Sequence, residues 1–139
     1  MSVFASDAKL NCNAATLAML ERQAKAWITA DFTAAAADWH EEGELTAPGH
    51  RVPFDALKAT VEAFHQEYTD LDITITSAFA PADGTQIALE WLWAVTRRSD
   101  GAPSVTADAI IVDLRDGLIV SWREYFDTAG SVEDHHVSS

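Results

Sequence analysis

Cysteine is almost absent from this chain of 139 residues: Cys12 stands alone and has no partner for an internal disulfide. Cationic residues are scarce too. Nine Lys and Arg face 22 Asp and Glu, a formal charge of −13. The nine are scattered, which excludes a phosphate-backbone interface and, with it, an anionic membrane surface. No apolar run approaches the roughly 20 residues that a bilayer span needs. The opening residues, Met1 to Asp7, lack a basic region followed by a long apolar segment, so no secretory leader is expected. Neither an internal repeat nor a low-complexity linker divides the chain. The expectation is a cytoplasmic protein without nucleic-acid or membrane partners, folded as one domain over residues 1–139.

What is present is the pattern of an α+β domain. The hydrophobic fraction of 48% is that of a globular protein, and a chain of this length can bury a real core without disulfides or metal. Asn13 suits a helix cap, and Leu17, Leu20, Ala24, Trp27 and Ile28 follow at helical spacing, predicting a helix over about 14–30. Glu21 and Lys25 stand four apart on its wet side. Thr33 to Trp39 is an Ala-rich second helix. His40, Glu41 and Glu42 look like a solvated loop, and Glu44 to Ala47 a short strand stopped by Pro48-Gly49. Pro53 suits the start of a third helix with Phe54, Leu57, Val61, Phe64 and Tyr68 as its stripe. The period then becomes two, through Leu71, Ile73, Ile75 and Phe79. A long strand, Gln86 to Arg98, carries Leu89, Trp91, Trp93 and Val95 on one face. Two further strands end at about Asp127, and the tail from Ser131 is expected to fray. The element order is α-α-β-α-β-β-β-β, with helices covering one face of a curved, mostly antiparallel sheet.

The last two strands surround Arg115-Asp116-Gly117. A two-residue loop would pair Arg115 with Leu118 and mix charge with hydrophobe on both faces. A three-residue loop pairs Leu114 with Leu118, Val112 with Val120, Ile110 with Trp122, and Asp108 with Glu124. One face is then apolar until its last pair, and register follows such consistency. The other face, from Ala107 through Ile111, Asp113, Ile119, Ser121 and Arg123 to Tyr125, is mixed and offers a dimer interface. Two acids facing each other on an apolar face should not both ionise in a dry place. Either that end of the sheet is wet, or one acid is protonated, or a cation lies between them.

This layout, with the ending Trp122-Arg-Glu-Tyr-Phe-Asp127, resembles the nuclear transport factor 2-like superfamily: the SnoaL-like polyketide cyclases, limonene epoxide hydrolases and ketosteroid isomerases. The likeness covers about residues 14–127, with loose motifs apart from that ending. It implies a conical α+β barrel around a deep pocket, commonly in a homodimer. It also implies that Asp108, Ile110, Trp122 and Glu124 face the cavity, since Glu124 stands where the epoxide hydrolases carry a water-activating acid. Two departures are plain. The Arg-x-Asp pair of those hydrolases is replaced by Trp91 and Trp93. The Asp that precedes a Pro in ketosteroid isomerases is replaced by Ala47, leaving Thr46 and Glu44 as the nearest polar groups.

The candidate catalytic residues are therefore Asp108 and Glu124, with His65 beside the stripe of the third helix as a partner in a proton relay. Trp91, Trp93, Trp122, Ile110, Phe64, Tyr68, Thr46 and Glu44 are candidates to line a site for a small apolar organic ligand. Trp27 is read as core. His135-His136 beside Glu133 and Asp134 imitate a metal site, but no other ligand spacing supports one. Neither metal nor cofactor is expected. Two functions fit: a cofactor-independent isomerase, cyclase or hydrolase acting on a carbonyl, epoxide or polyketide-like substrate, or a non-catalytic binding or scaffold protein of the same fold.

Overall fold

The computed structural model describes residues 2–127. In chain order the elements are β1 (Phe4–Asn11), α1 (Ala14–Thr29), α2 (Thr33–Ala36), β2 (Trp39–Ala47), β3 (His50–Pro53), α3 (Phe54–Glu67), β4 (Tyr68–Phe79), β5 (Gln86–Arg97), β6 (Pro103–Arg115) and β7 (Leu118–Tyr125). The strands form one sheet in the order β1-β4-β5-β6-β7-β2-β3. Only β1–β4 and β2–β7 pair in parallel. The architecture is α+β, as the pattern of the sequence implies.

Helix α1 begins where Asn13 accepts a hydrogen bond from the Thr16 backbone N–H, 2.8 Å long. It buries Met19, Leu20, Gln23, Ala24 and Ala26 against the sheet. Leu57 and Val61 of α3 join the same core, together with alternate residues of the central strands: Ile73, Ile75, Ile87, Leu89, Ile110, Val112 and Trp122. A buried amide organises the start of β2. Gln23 donates to the Ala35 carbonyl and the Asp38 carboxylate and accepts from Trp39 Nε1. Asp38 in turn takes two bonds from Arg22. Every polar atom in this network has a partner, which is the condition for burying it at little cost.

Several expectations need correcting. The second helix stops at Ala36, and Trp39 opens β2 instead of closing a helix, because its indole N–H is taken by Gln23. His40, Glu41 and Glu42 lie within β2 and not in a loop. Strand β1 was not anticipated: its residues do not alternate, and it exists through parallel pairing at the sheet edge. Phe79 is 54% exposed, since the register shifts between Ile75 and Ser77 and Ala78 turns inward instead. The tail from Ser131 lies outside the described residues.

The final hairpin is the instructive case. Its loop has two residues, with Arg115 opposite Leu118. Asp116 and Gly117 both take positive φ (53° and 79°), the geometry whose twist matches the flanking strands. Between the Leu114–Ile119 and Asp113–Ser121 pairs, Val120 is an extra residue, a β-bulge. Beyond it Val112 faces Trp122, and Ile110 faces Glu124. The expected register is thus off by two. The faces survive, because a shift of two preserves parity. Ile119 is the exception: it falls before the bulge, is fully buried, and leaves the proposed interface face.

Gly43 lets β2 pass this bulge. A Cβ there would lie 2.7 Å from Trp39 Cε3 and 2.8 Å from the Ile119 carbonyl oxygen. Gly43→Ala should lower stability by roughly 1–3 kcal/mol. Urea denaturation checks this, and an unchanged midpoint would mean that the strands do not approach so closely.

Candidate active site

A cavity of about 620 Å³ opens between the helices and the inner face of the sheet. Thr60, Ala63, Phe64 and Glu67 face it from α3, at the 3–4 residue spacing of one helix face. Leu45, Ala47, His50 and Val52 come from β2, β3 and their turn. Tyr68 comes from β4, Trp93 and Val95 from β5, and Ser104, Thr106 and Asp108 from β6. Glu124 and Phe126 come from the last strand and its end, and Trp27 from α1.

The two acids meet at the inner end. Glu124 is directly opposite Ile110, so Asp108 reaches it as a diagonal neighbour on the same face. Each acid is held by an indole. Trp91 Nε1 donates to Asp108 Oδ2, and Trp122 Nε1 donates to Glu124 Oε2, both at 2.9 Å. Asp108 is 4% exposed. Its other oxygen, Oδ1, finds no donor among the described residues. Glu124 is the neighbouring acid, on the same face of the adjacent strand.

Electrostatics point the same way. Burial raises Asp108 to about 6, opposed by the Trp91 N–H and by the contact with Glu124. Burial raises Glu124 further, to about 8, and the adjacent Asp108 charge adds to it, opposed by the Trp122 N–H. Both carboxyls are thus pushed up, and burial disfavours ionising the two together. Two negative charges side by side here would have only the two indole N–H groups to offset them among the described residues. Water access differs between the two: Asp108 is buried, while Glu124 shows part of its surface to the cavity.

The other candidate residues sort by geometry. Trp93, Phe64 and Tyr68 line the cavity. Trp91 and Trp122 (1% and 2% exposed) and Ile110 lie behind the wall, and the two tryptophans reach the site only through the acids they hold. Glu44 and Thr46 are corrected: Leu45 and Ala47 point inward, so their neighbours take the outer face, where Glu44 pairs with Arg51 at 3.6 Å. His65 is not brought to the acids. Its Nε2 bonds the Trp27 carbonyl, which requires the proton on that nitrogen, and its own carbonyl accepts from Arg98 Nε. It ties the end of α3 to α1 and β5. Trp27, read as core, is on the wall. Ser104 and Thr106 were missed although they alternate with Asp108 on one strand, a signal visible in the sequence. His50 and Phe126 carried no such signal. His135 and His136 lie outside the described residues. Among those residues, no helix is long and apolar enough to cross a membrane, and no three His, Cys, Asp or Glu side chains converge as metal ligands do.

A sheet of this order wrapped over a helix-closed cavity, with acids at its inner end, defines the nuclear transport factor 2-like fold. The chain belongs to the SnoaL-like domain family, whose model matches residues 20–122. Solved structures share the fold at low identity. A candidate polyketide cyclase from Xanthomonas campestris pv. campestris is 17% identical, with a TM-score of 0.69 over 81% of this chain and 90% of its own. A protein with a ketosteroid isomerase-like fold from Catenulispora acidiphila, solved with trimethylamine, is 14% identical, with a TM-score of 0.72 over 83% and 89%. An LEH-like epoxide hydrolase from M. tuberculosis is 17% identical, with a TM-score of 0.69 over 84% and 85%. No curated protein matches the sequence.

The pair has a consequence for stability. Both acids have folded values above their ordinary 3.8 and 4.5, so the folded state binds more protons than the unfolded state in between. Their contribution is fully favourable below about pH 4 and is lost as pH rises through about 6 to 8. Glu124→Gln should remove most of that loss and make the protein more stable than wild type at pH 9. Thermal melts from pH 5 to 9 test this. Parallel curves for the two proteins would place both acids in a solvated setting.

Proposed function

We propose that the protein is a cofactor-independent acid–base enzyme acting on a small, largely apolar carbonyl, epoxide or polyketide-like molecule. The observation that carries this reading is the pair of neighbouring carboxyls, each held by an indole N–H, at the inner end of a mostly apolar cavity. A carboxylate that takes a proton and a neutral acid that gives one, side by side, are the parts needed for isomerisation, cyclisation or water addition. Asp108 acts as the base and Glu124 as the acid. The indoles of Trp91 and Trp122 fix the orientation of each, leaving the opposite oxygens for the exchange. Trp93, Phe64 and Trp27 supply flat apolar surface that fits a ring or a branched chain. His65 is left out of the proton path, because its ring is engaged with Trp27.

The division of labour differs from the relatives named above. The position preceding Pro48 is Ala47, which lines the cavity without an acid, and the second acid sits on β6 instead. The same cavity without turnover would make a binding protein, and that reading is favoured by the loss of the Arg-x-Asp pair to Trp91 and Trp93. That a Catenulispora protein of this fold was solved in complex with trimethylamine, a small organic molecule, is in keeping with a ligand-binding role. As a working unit we take a single domain paired as a homodimer through the outer sheet face, where Tyr125 is 54% and Leu92 39% exposed.

Exchange of α-hydrogens of small aryl ketones in D2O, followed by NMR, tests the enzyme reading. Wild type should accelerate exchange by about 10²–10⁴-fold, the range of general acid–base catalysis. Asp108→Asn and Glu124→Gln should each abolish the acceleration while a cooperative melting transition shows that the variant is folded. Binding of the ketones without exchange would favour the binding protein, and exchange that survives both substitutions would remove the pair from the mechanism.

A further inference from the structure

Among the described residues, the acid pair has no Lys or Arg beside it. Buried carboxylates are ordinarily paired, because an uncompensated buried charge is costly. The titratable groups that share the cavity with the pair are Glu67 and Tyr68 near the α3–β4 junction and His50 at the β2–β3 turn; no Lys or Arg lines it. The nearest cations in the sequence are committed elsewhere. Arg97 pairs with Asp100, Arg98 bonds the His65 carbonyl, and Arg123 points outward to Asp113 and Ser121. On β2 and β3, Arg51 pairs with Glu44.

The walls beside the pair are aromatic. Trp93 meets Phe64 and Trp27 edge to face, with ring centres 5.1 and 5.4 Å apart, and Phe64 stacks on Tyr68 at 4.8 Å. Ring faces attract cations and repel anions. The buried Oδ1 of Asp108 lacks a fixed protein donor. Cavity, aromatic wall and unmatched carboxylate thus ask for the same chemistry.

We infer that the ligand of this cavity carries a positively charged nitrogen, a protonated or quaternary amine on an apolar frame, held between the acid pair and the wall of Trp27, Phe64 and Trp93. This rests on the cavity being the ligand site and is independent of turnover. Two groups compete to neutralise the pair: a proton on one carboxyl and the incoming cation. When the cation enters, the O–H bond of the protonated carboxyl breaks, its electrons stay on the carboxylate, and the proton leaves to the buffer. Anions of the same size face two carboxyls and no Lys or Arg among the residues of the wall, and are rejected.

Three probes of similar size and different charge test this: N,N-dimethylbenzylamine, phenylacetone and phenylacetate. Calorimetry at pH 7 in two buffers of different ionisation enthalpy gives both affinity and protons released. The amine should bind at least about tenfold more tightly than the ketone and release protons, and phenylacetate should not bind. Asp108→Asn should abolish the preference for the amine. Glu124→Gln should keep that preference and abolish the proton release. Both substitutions are nearly isosteric, and a melting curve for each shows that it is folded. Equal affinity for amine and ketone, or a preference that survives Asp108→Asn, overturns the inference. Ketone binding with the amine excluded overturns it while leaving the proposed enzyme standing. Failure of all three probes to bind overturns the ligand cavity itself, and both readings with it.

Discussion

Two carboxyl groups side by side at the inner end of the cavity, where burial disfavours both charges at once, set the terms for the interior of this protein. Everything around them follows from where they can be placed. They need donors, and Trp91 and Trp122 supply one N–H each. They need shelter from bulk water, or their proton affinity falls to ordinary values, and Asp108 at 4% exposure has it. They also need access, or no ligand could reach them, and Glu124 faces the cavity. Burial and access are opposed demands. The fold meets both by putting the acids on adjacent strands with their indole partners behind them and the cavity in front.

The tryptophans do more than fill space. All five form a connected series through the interior: Trp39 beside Trp122 (6.4 Å), Trp122 beside Trp91 (5.7 Å), Trp91 beside Trp93 (6.2 Å) and Trp93 beside Trp27 (5.4 Å). One end is anchored by the Gln23 amide, the middle by the acids, and the other end lines the cavity. Large rings lose little side-chain entropy for the area they bury, and their N–H groups give direction to an otherwise apolar core. The series joins α1, β2, β5 and β7. Packing of the helix pair and orientation of the acids are therefore parts of one structure.

Local pattern carried the chain a long way toward this picture. Helical spacing located α1 and α3 to within a residue or two, and period two located the central strands. Parity on β6 and β7 put Asp108, Ile110, Val112, Trp122 and Glu124 on one face. That conclusion survived an error in register, since the Val120 bulge shifts the pairing by two and leaves the faces unchanged. Where pattern misled, a partner distant in sequence had the decisive role. Trp39 looked like the end of a helix until its indole met Gln23. His65 looked like a relay until its ring met the Trp27 carbonyl. Glu44 and Thr46 were polar groups near the site in sequence, on the wrong side of their strand.

The sequence by itself determined the class of fold, the scarcity of cations, and the presence of two acids on one apolar face, because composition and side-chain alternation are local properties. Tertiary structure decided which tryptophans line the cavity and which stand behind the acids, which helix face closes the site, and that no Lys or Arg among the described residues lines the cavity beside the pair. Those facts depend on strand order, on one bulge, and on where each arginine finds its partner. They join residues far apart in the chain, and loop-spanning contacts of that kind leave no periodic trace in the sequence.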